Sequence, residues 1–196
     1  TPSVLNLGPK ACKGCSNLPT FNAAQLSVVG YEAFMNCTTL NNFGAPVLST
    51  LGNGAFYGCT SLATIDLPLL VTAPDDCFAQ SALASIAAPN LTTAGARCFK
   101  GTALGPAVTL NLETVGTYCF ENCYSLGEIY LSQATTIGAG AFSGNGFLTT
   151  IYLPVCTNLG GSVGDDDVFQ GIVNPWAPPG SEIIPSDYER TLTIPE

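Results

Sequence analysis

Nine cysteines and no histidine set the limits of the chemistry open to this 196-residue chain. Cys12 and Cys15 have C-x-x-C spacing, which holds zinc when a second pair follows at finger spacing; no such pair follows, and there is no imidazole to complete a mixed site. Without histidine the usual general base is missing, so neither a Ser-His-Asp nor a Cys-His arrangement can exist within this chain. Its Asp and Glu residues fall in no motif that suggests a shared pocket. The expectation is therefore a non-enzymatic protein with no catalytic residue and no cofactor. Asp165, Asp166 and Asp167, preceded by Gly164, could offer oxygen ligands to calcium. Three consecutive acids do not match the alternating ligands of an EF-hand loop, and a solvated insertion is the simpler reading. Asn36-Cys37-Thr38 and Asn90-Leu91-Thr92 are formal glycosylation acceptors, which matter only in a eukaryotic source.

What positions these residues is an internal repeat. Phe34, Phe56, Phe78, Phe99, Phe120 and Phe142 are separated by 22, 22, 21, 21 and 22 residues, and Cys12 stands one period earlier. A period near 22 marks a repeat array, in which each unit is one winding that cannot bury its own apolar face. Leucine keeps the same phase: Leu18, Leu40, Leu62, Leu83, Leu104 and Leu126 each lie 16 residues before the next aromatic. Most windings also carry a glycine four residues before the aromatic, where a corner is expected, with an apolar residue just ahead of it (Val29, Leu51, Val115, Ile137) as a second inward anchor. Seven of the cysteines are letters of this repeat. Cys15, Cys37, Cys59 and Cys123 stand three after the aromatic position, and Cys77, Cys98 and Cys119 replace the alanine before it. They are expected to be buried free thiols, small and weakly polar, and the Cys12–Cys15 pair an unreactive buried one.

From each leucine onward the sequence alternates, as in Leu62-x-x-Ile65-x-Leu67-Pro68 and Leu148-x-x-Ile151-x-Leu153-Pro154, which reads as a short half-buried strand. Stacked windings place these strands in a parallel sheet about 4.8 Å apart, against an opposite wall made by the aromatic ladder Phe34, Phe56, Phe78, Phe99, Phe120, Phe142 and Phe169. The outward positions flank the strand isoleucine: Thr64 and Asp66, Glu128 and Tyr130, Thr150 and Tyr152 among others, with Pro106 and Val108 assigned by the same count. Tyr130 and Tyr152 should stack beside Glu128, a combination suited to an interface or a sugar ring, or simply to mutual support between strands. These six residues are the candidate binding set.

The windings AFMNCTTLNNFGAP (33–46), AFYGCTSLATIDLP (55–68), CFENCYSLGEIYLS (119–132) and AFSGNGFLTTIYLP (141–154) resemble the BspA-like leucine-rich repeat family. The resemblance covers about residues 4–172. It implies a right-handed, β-rich solenoid with little regular helix, at bacterial or protist cell surfaces, acting in adhesion or binding and catalysing no known reaction.

Composition is consistent with that expectation. A formal charge of −9, from five Lys and Arg against fourteen Asp and Glu, argues against nucleic-acid partners, whose recognition needs clustered cations. No apolar run approaches the length of a membrane span, and no signal peptide opens the chain. The array is expected to fill residues 1–172 in seven to eight windings. After it, 173–196 should form an irregular, proline-rich extension ending in a strand-like segment, Leu192-Thr193-Ile194-Pro195, so that the natural protein is expected to be longer. The leading reading is a secreted or surface-anchored module for a protein ligand; the alternatives are a carbohydrate-binding module and a structural spacer.

Overall fold

The structure, a computed structural model, describes residues 5–160. Asp165, Asp166, Asp167, Phe169 and the extension from 173 onward lie outside the described residues. Within them the chain is a solenoid of about seven windings without helix. Three-residue strands form one wall at Thr20–Asn22, Asn42–Gly44, Thr64–Asp66, Ser85–Ala87, Ala107–Thr109, Glu128–Tyr130 and Thr150–Tyr152. A second wall comes from two-residue strands that carry the anchor before each corner, such as Val28–Val29, Thr50–Leu51 and Thr136–Ile137. All pairings are parallel and join equivalent residues of successive windings, for example Thr114 with Thr136 and Val115 with Ile137.

The interior follows from the repeat. Phe34, Phe56, Phe78, Phe99, Phe120 and Phe142 are fully buried, each ring stacked on the next with centroids 5.2–5.7 Å apart and planes within 11°. Leu40, Leu62, Leu83, Leu104 and Leu126 fill the space beside them. In the early windings Phe21 and Phe43 occupy the strand-isoleucine position and meet the ladder edge-on, Phe43 lying 4.8 Å from Phe56. Burial of each ring contributes about 1.5–3 kcal/mol by apolar transfer. The corner glycines allow the windings to close up: a Cβ on Gly30 would lie 2.7 Å from the Pro9 nitrogen.

The segment around each phenylalanine turns tightly by placing two residues per winding in the left-handed region. Two before the aromatic position these are Lys10, Glu32, Gly54, Asp76, Arg97, Tyr118 and Gly140; two after it, Gly14, Asn36, Gly58, Gln80, Gly101, Asn122 and Gly144. Side chains other than Gly and Asn are uncommon there. Their N–H groups compensate by pointing along the solenoid axis, where Glu32 donates to the Asn53 carbonyl at 3.0 Å, Asp76 to Ala96 at 2.9 Å and Arg97 to Thr117 at 2.9 Å.

Two expectations are corrected. In the fifth winding the strand is Ala107–Thr109, with Ala107 opposite Glu128, Val108 opposite Ile129 and Thr109 opposite Tyr130. Val108 is therefore buried, and the outward residues are Ala107 and Thr109, not Pro106 and Val108. One extra residue separates Leu104 from the strand, and one fewer follows it before Leu112, so the overall period conceals the slip. Gly105 absorbs it at φ 151°, with its Cα against the Ser125 carbonyl so closely that a Cβ would collide with that oxygen. The second correction concerns Cys12 and Cys15, which are not a buried pair: Cys12 is half-buried and Cys15 exposed, because no winding among the described residues covers the outer side of the first one.

Candidate functional site

The six candidate residues all point away from the core, as alternation requires, but they do not form one patch. Thr64 and Asp66 are exposed on a strand paired with Ser85–Ala87. Together with Asn42, Ser85 and Ala87 they line a shallow depression of about 680 Å³ over Phe43 and Ile65. Glu128, Tyr130, Thr150 and Tyr152 belong to a separate ladder, in which Glu128 pairs with Thr150 and Tyr130 with Tyr152. Three windings separate the two groups, roughly 14 Å at strand spacing, and the slipped strand at Ala107 lies between them.

The second group is the more constrained. The Tyr130 and Tyr152 rings lie 6.2 Å apart, tilted at 45°, and the Tyr130 hydroxyl donates a 2.8 Å hydrogen bond to Glu128. That bond, with the charge of the carboxylate, pushes the Tyr130 phenol above its ordinary range, so the hydroxyl stays protonated at any physiological pH. Next to this face, at the corner leading into the same two strands, stand Tyr124 and Phe147, 63% and 73% exposed. Reasoning from the repeat passed over both residues. Their signal is a broken repeat letter, since Thr38, Thr60, Ala82 and Ala103 occupy the position of Tyr124 in other windings.

The turn face on the phenylalanine side has different chemistry. Every lysine and arginine among the described residues sits there and pairs with an acid of a neighbouring winding: Lys13 and Lys10 with Glu32 (2.6 and 3.8 Å), Arg97 with Asp76 (2.8 Å) and Lys100 with Glu121 (2.6 Å). Lys13 holds the Glu32 carboxyl below its usual range. Such pairs are worth about 1 kcal/mol or less each; their larger effect is to fix the positions of the side chains.

The cysteines are enclosed where expected from Cys37 to Cys123. Burial pushes the Cys59 thiol up to about 12 and those of Cys37 and Cys123 up to about 11, while Cys77, Cys98 and Cys119 are raised further. Thiolate, the nucleophilic and metal-binding form, is thus suppressed near neutral pH. Among the described residues no three His, Cys, Asp or Glu side chains converge as metal ligands, and no helix is long and apolar enough to cross a membrane.

The model of BspA-type leucine-rich repeat regions matches this chain in six copies, over residues 5–108 and 74–163. No curated protein matches it. Among solved structures, a leucine-rich cell surface protein of Faecalibacterium prausnitzii superposes with a TM-score of 0.60 at 18% identity, over 81% of this chain. This chain spans 59% of that protein's length. A leucine-rich repeat protein of Bacteroides ovatus superposes with a TM-score of 0.51 at 20% identity, over 89% of this chain and 70% of the other. At such identities the likeness concerns the fold.

Proposed function

The chain belongs to the BspA-type leucine-rich repeat family, and on that premise we propose that it is a non-enzymatic recognition module, secreted or held at a cell surface, that binds a protein on a host or neighbouring cell. The observation that carries this reading is the aromatic content of the sixth and seventh windings, where exposed Tyr124 and Phe147 stand at the corner before the strands that carry Glu128, Tyr130 and Tyr152. Exposed aromatic area on a rigid frame suits a protein contact, because tyrosine supplies apolar surface and a hydroxyl with little rotamer entropy to lose. Nothing in the packing demands these residues, since other windings place small or polar ones in the same positions. The supporting ladder is hydrogen-bonded on both strands, so the patch needs no ordering on binding. The depression over Thr64 and Asp66 is a secondary contact zone of the same face. A surface location agrees with the description of the F. prausnitzii protein.

The test uses beads coated with the protein on epithelial monolayers and on bacterial lawns, before and after trypsin treatment of the target cells. Adhesion should vanish with trypsin and fall in a Tyr130→Ser/Tyr152→Ser/Phe147→Ser variant whose circular dichroism is unchanged. Undiminished adhesion by that variant would remove the patch from consideration.

A further inference from the structure

The turn face carries a second site that the recognition reading does not use. The left-handed position two before each phenylalanine builds a column of side chains along the solenoid: Lys10, Glu32, Gly54, Asp76, Arg97, Tyr118. Gly54 interrupts it. Above that gap lies a cleft of about 360 Å³ lined by Tyr31, Met35, Asn53 and Tyr57, with Glu32 on one side and Asp75, Asp76 and Arg97 on the other. Its volume falls in the range of small-molecule sites.

The charged walls of the cleft are held in place by partners. Arg97 grips both carboxylate oxygens of Asp76 at 2.8 Å, the Asp75 carboxylate accepts the Ala96 N–H at 2.8 Å, and Lys13 holds Glu32 at 2.6 Å. Tyr31 hydrogen-bonds to Glu32, which raises its phenol above the ordinary range, and the Lys10 ammonium sits 5.5 Å from the centre of its ring. Glu32 is thus paired with Lys10 and Lys13 and Asp76 with Arg97, while Asp75 is held by a backbone amide.

The geometry points to a binding site for a single ring of a neutral glycan, seated over Gly54 with Tyr31 and Tyr57 as apolar platforms and Asn53, Asp75 and the Asp76–Arg97 pair as hydrogen-bonding groups. A sugar ring offers C–H faces to aromatic side chains and hydroxyls to planar polar groups, of which Asp75, Asp76 and Arg97 are already fixed in position. Charge favours an uncharged ligand over an anionic one, which would meet three carboxylates; Glu32 and Asp76 are already paired with Lys13 and Arg97, and Asp75 is the one carboxylate a cation could reach without displacing a partner, the case the tetralysine probe tests. The site is independent of the aromatic patch, on another face and in other windings.

Saturation-transfer NMR with maltotetraose, mannotetraose, xylotetraose, chitotetraose and β-galactotetraose tests the assignment, with tetralysine and trigalacturonate as charged probes. The wild type should bind at least one neutral tetrasaccharide saturably, with a dissociation constant below about 10 mM. Gly54→Tyr should weaken that binding by roughly tenfold or more, since it places in the cleft the residue that Tyr118 already presents from the same left-handed position; Tyr57→Ala should do the same. Tyr130→Ser/Tyr152→Ser should leave it unchanged, so the result separates from the fate of the protein-recognition reading. An unchanged urea midpoint for Tyr57→Ala guards against a Gly54→Tyr variant that fails to fold. Binding of none of the neutral probes, binding indifferent to both cleft variants, or displacement of the sugar by tetralysine would overturn the proposal.

Discussion

Raising the pH above 9 should dismantle this array through its thiols. Cys59, Cys77, Cys98, Cys119 and Cys123 are enclosed in the core, and burial raises each above the ordinary value of 9.0, Cys59 to about 12 and Cys123 to about 11. Because the folded values are raised, the stability these groups contribute is complete below pH 9 and is lost as pH climbs toward the folded values. Between pH 8 and pH 10 an unfolded thiol passes from about one-tenth to nine-tenths ionised while its folded counterpart remains protonated, which costs about 1.4 kcal/mol per group. Five such groups remove about 7 kcal/mol, comparable to the total stability of a typical domain. Urea midpoints followed by circular dichroism at several pH values, under a phosphine reductant, would show this loss. A control comes from the repeat itself: Ala33, Ala55 and Ala141 occupy the place of Cys77, Cys98 and Cys119 in other windings. The triple alanine variant should therefore fold and lose about 4 kcal/mol of the pH dependence. If its stability falls with pH as steeply as that of the wild type, the thiols do not control the transition and the reasoning is wrong.

Two further substitutions probe the ladder and the slipped strand. Phe78→Ala removes a ring stacked on both sides, 5.7 Å from Phe56 and 5.5 Å from Phe99, and should cost about 3–5 kcal/mol, whereas Phe147→Ala, at an exposed ring, should stay within about 0.5 kcal/mol. Equal urea midpoints for the two variants would contradict the core assignment. Gly105→Ala puts a methyl group into the Ser125 carbonyl at a backbone angle that alanine rarely adopts, and should cost about 2 kcal/mol or more; amide exchange should show the loss centred on the pairing of Ala107–Thr109 with Glu128–Tyr130.

Where one chemical letter recurs at a fixed place, the sequence was enough to position it. The rings from Phe34 to Phe142, the leucines beside them and the pairing of Tyr130 with Tyr152 follow from period and alternation, because stacking windings forces identical positions into contact. The slip at Gly105 was hidden by its compensation. An added residue before the strand cancels a missing one after it, and only the local alternation Val108-x-Leu110-x-Leu112 betrays it. The column from Lys10 to Tyr118 was illegible for another reason. What repeats there is a left-handed backbone angle, met by Lys, Glu, Gly, Asp, Arg and Tyr alike, so no residue type marks the position. The cleft over Gly54 was likewise out of reach, since a missing side chain matters only once its neighbours along the axis are known. Tyr124 and Phe147 escaped because they depart from the repeat, and a search for recurrence passes over departures.

The position three after each phenylalanine joins these observations. Its occupants, Cys37, Cys59, Ser81, Thr102, Cys123 and Asn145, have little in common as hydrophobes, yet all are small and all can donate a hydrogen bond. Cys59 reaches the Phe34 carbonyl at 3.2 Å, Ser81 that of Phe78 at 2.7 Å, Thr102 that of Phe99 at 2.8 Å, and the Asn145 amide both Phe120 and Phe142 at 2.8 and 2.7 Å. A phenylalanine whose ring stacks in the core carries its carbonyl into a dry interior; Phe34, Phe56, Phe78 and Phe99 each accept the backbone N–H of the residue three on at 3.0–3.3 Å, and a side-chain donor, where present, adds a second bond to the same oxygen. The recurring cysteine donates to the carbonyl of the preceding winding, serine and threonine turn to that of their own winding, and the asparagine amide reaches both. Redox or metal chemistry is not needed to account for it. Six of the nine cysteines are thus bound to the architecture as carbonyl partners or as small fillers beside the rings. Among the described residues, selection for a ligand can then act on the outward strand positions, the strand corners and the turn face, where exposed Tyr31, Tyr124 and Phe147 and the paired charges are found.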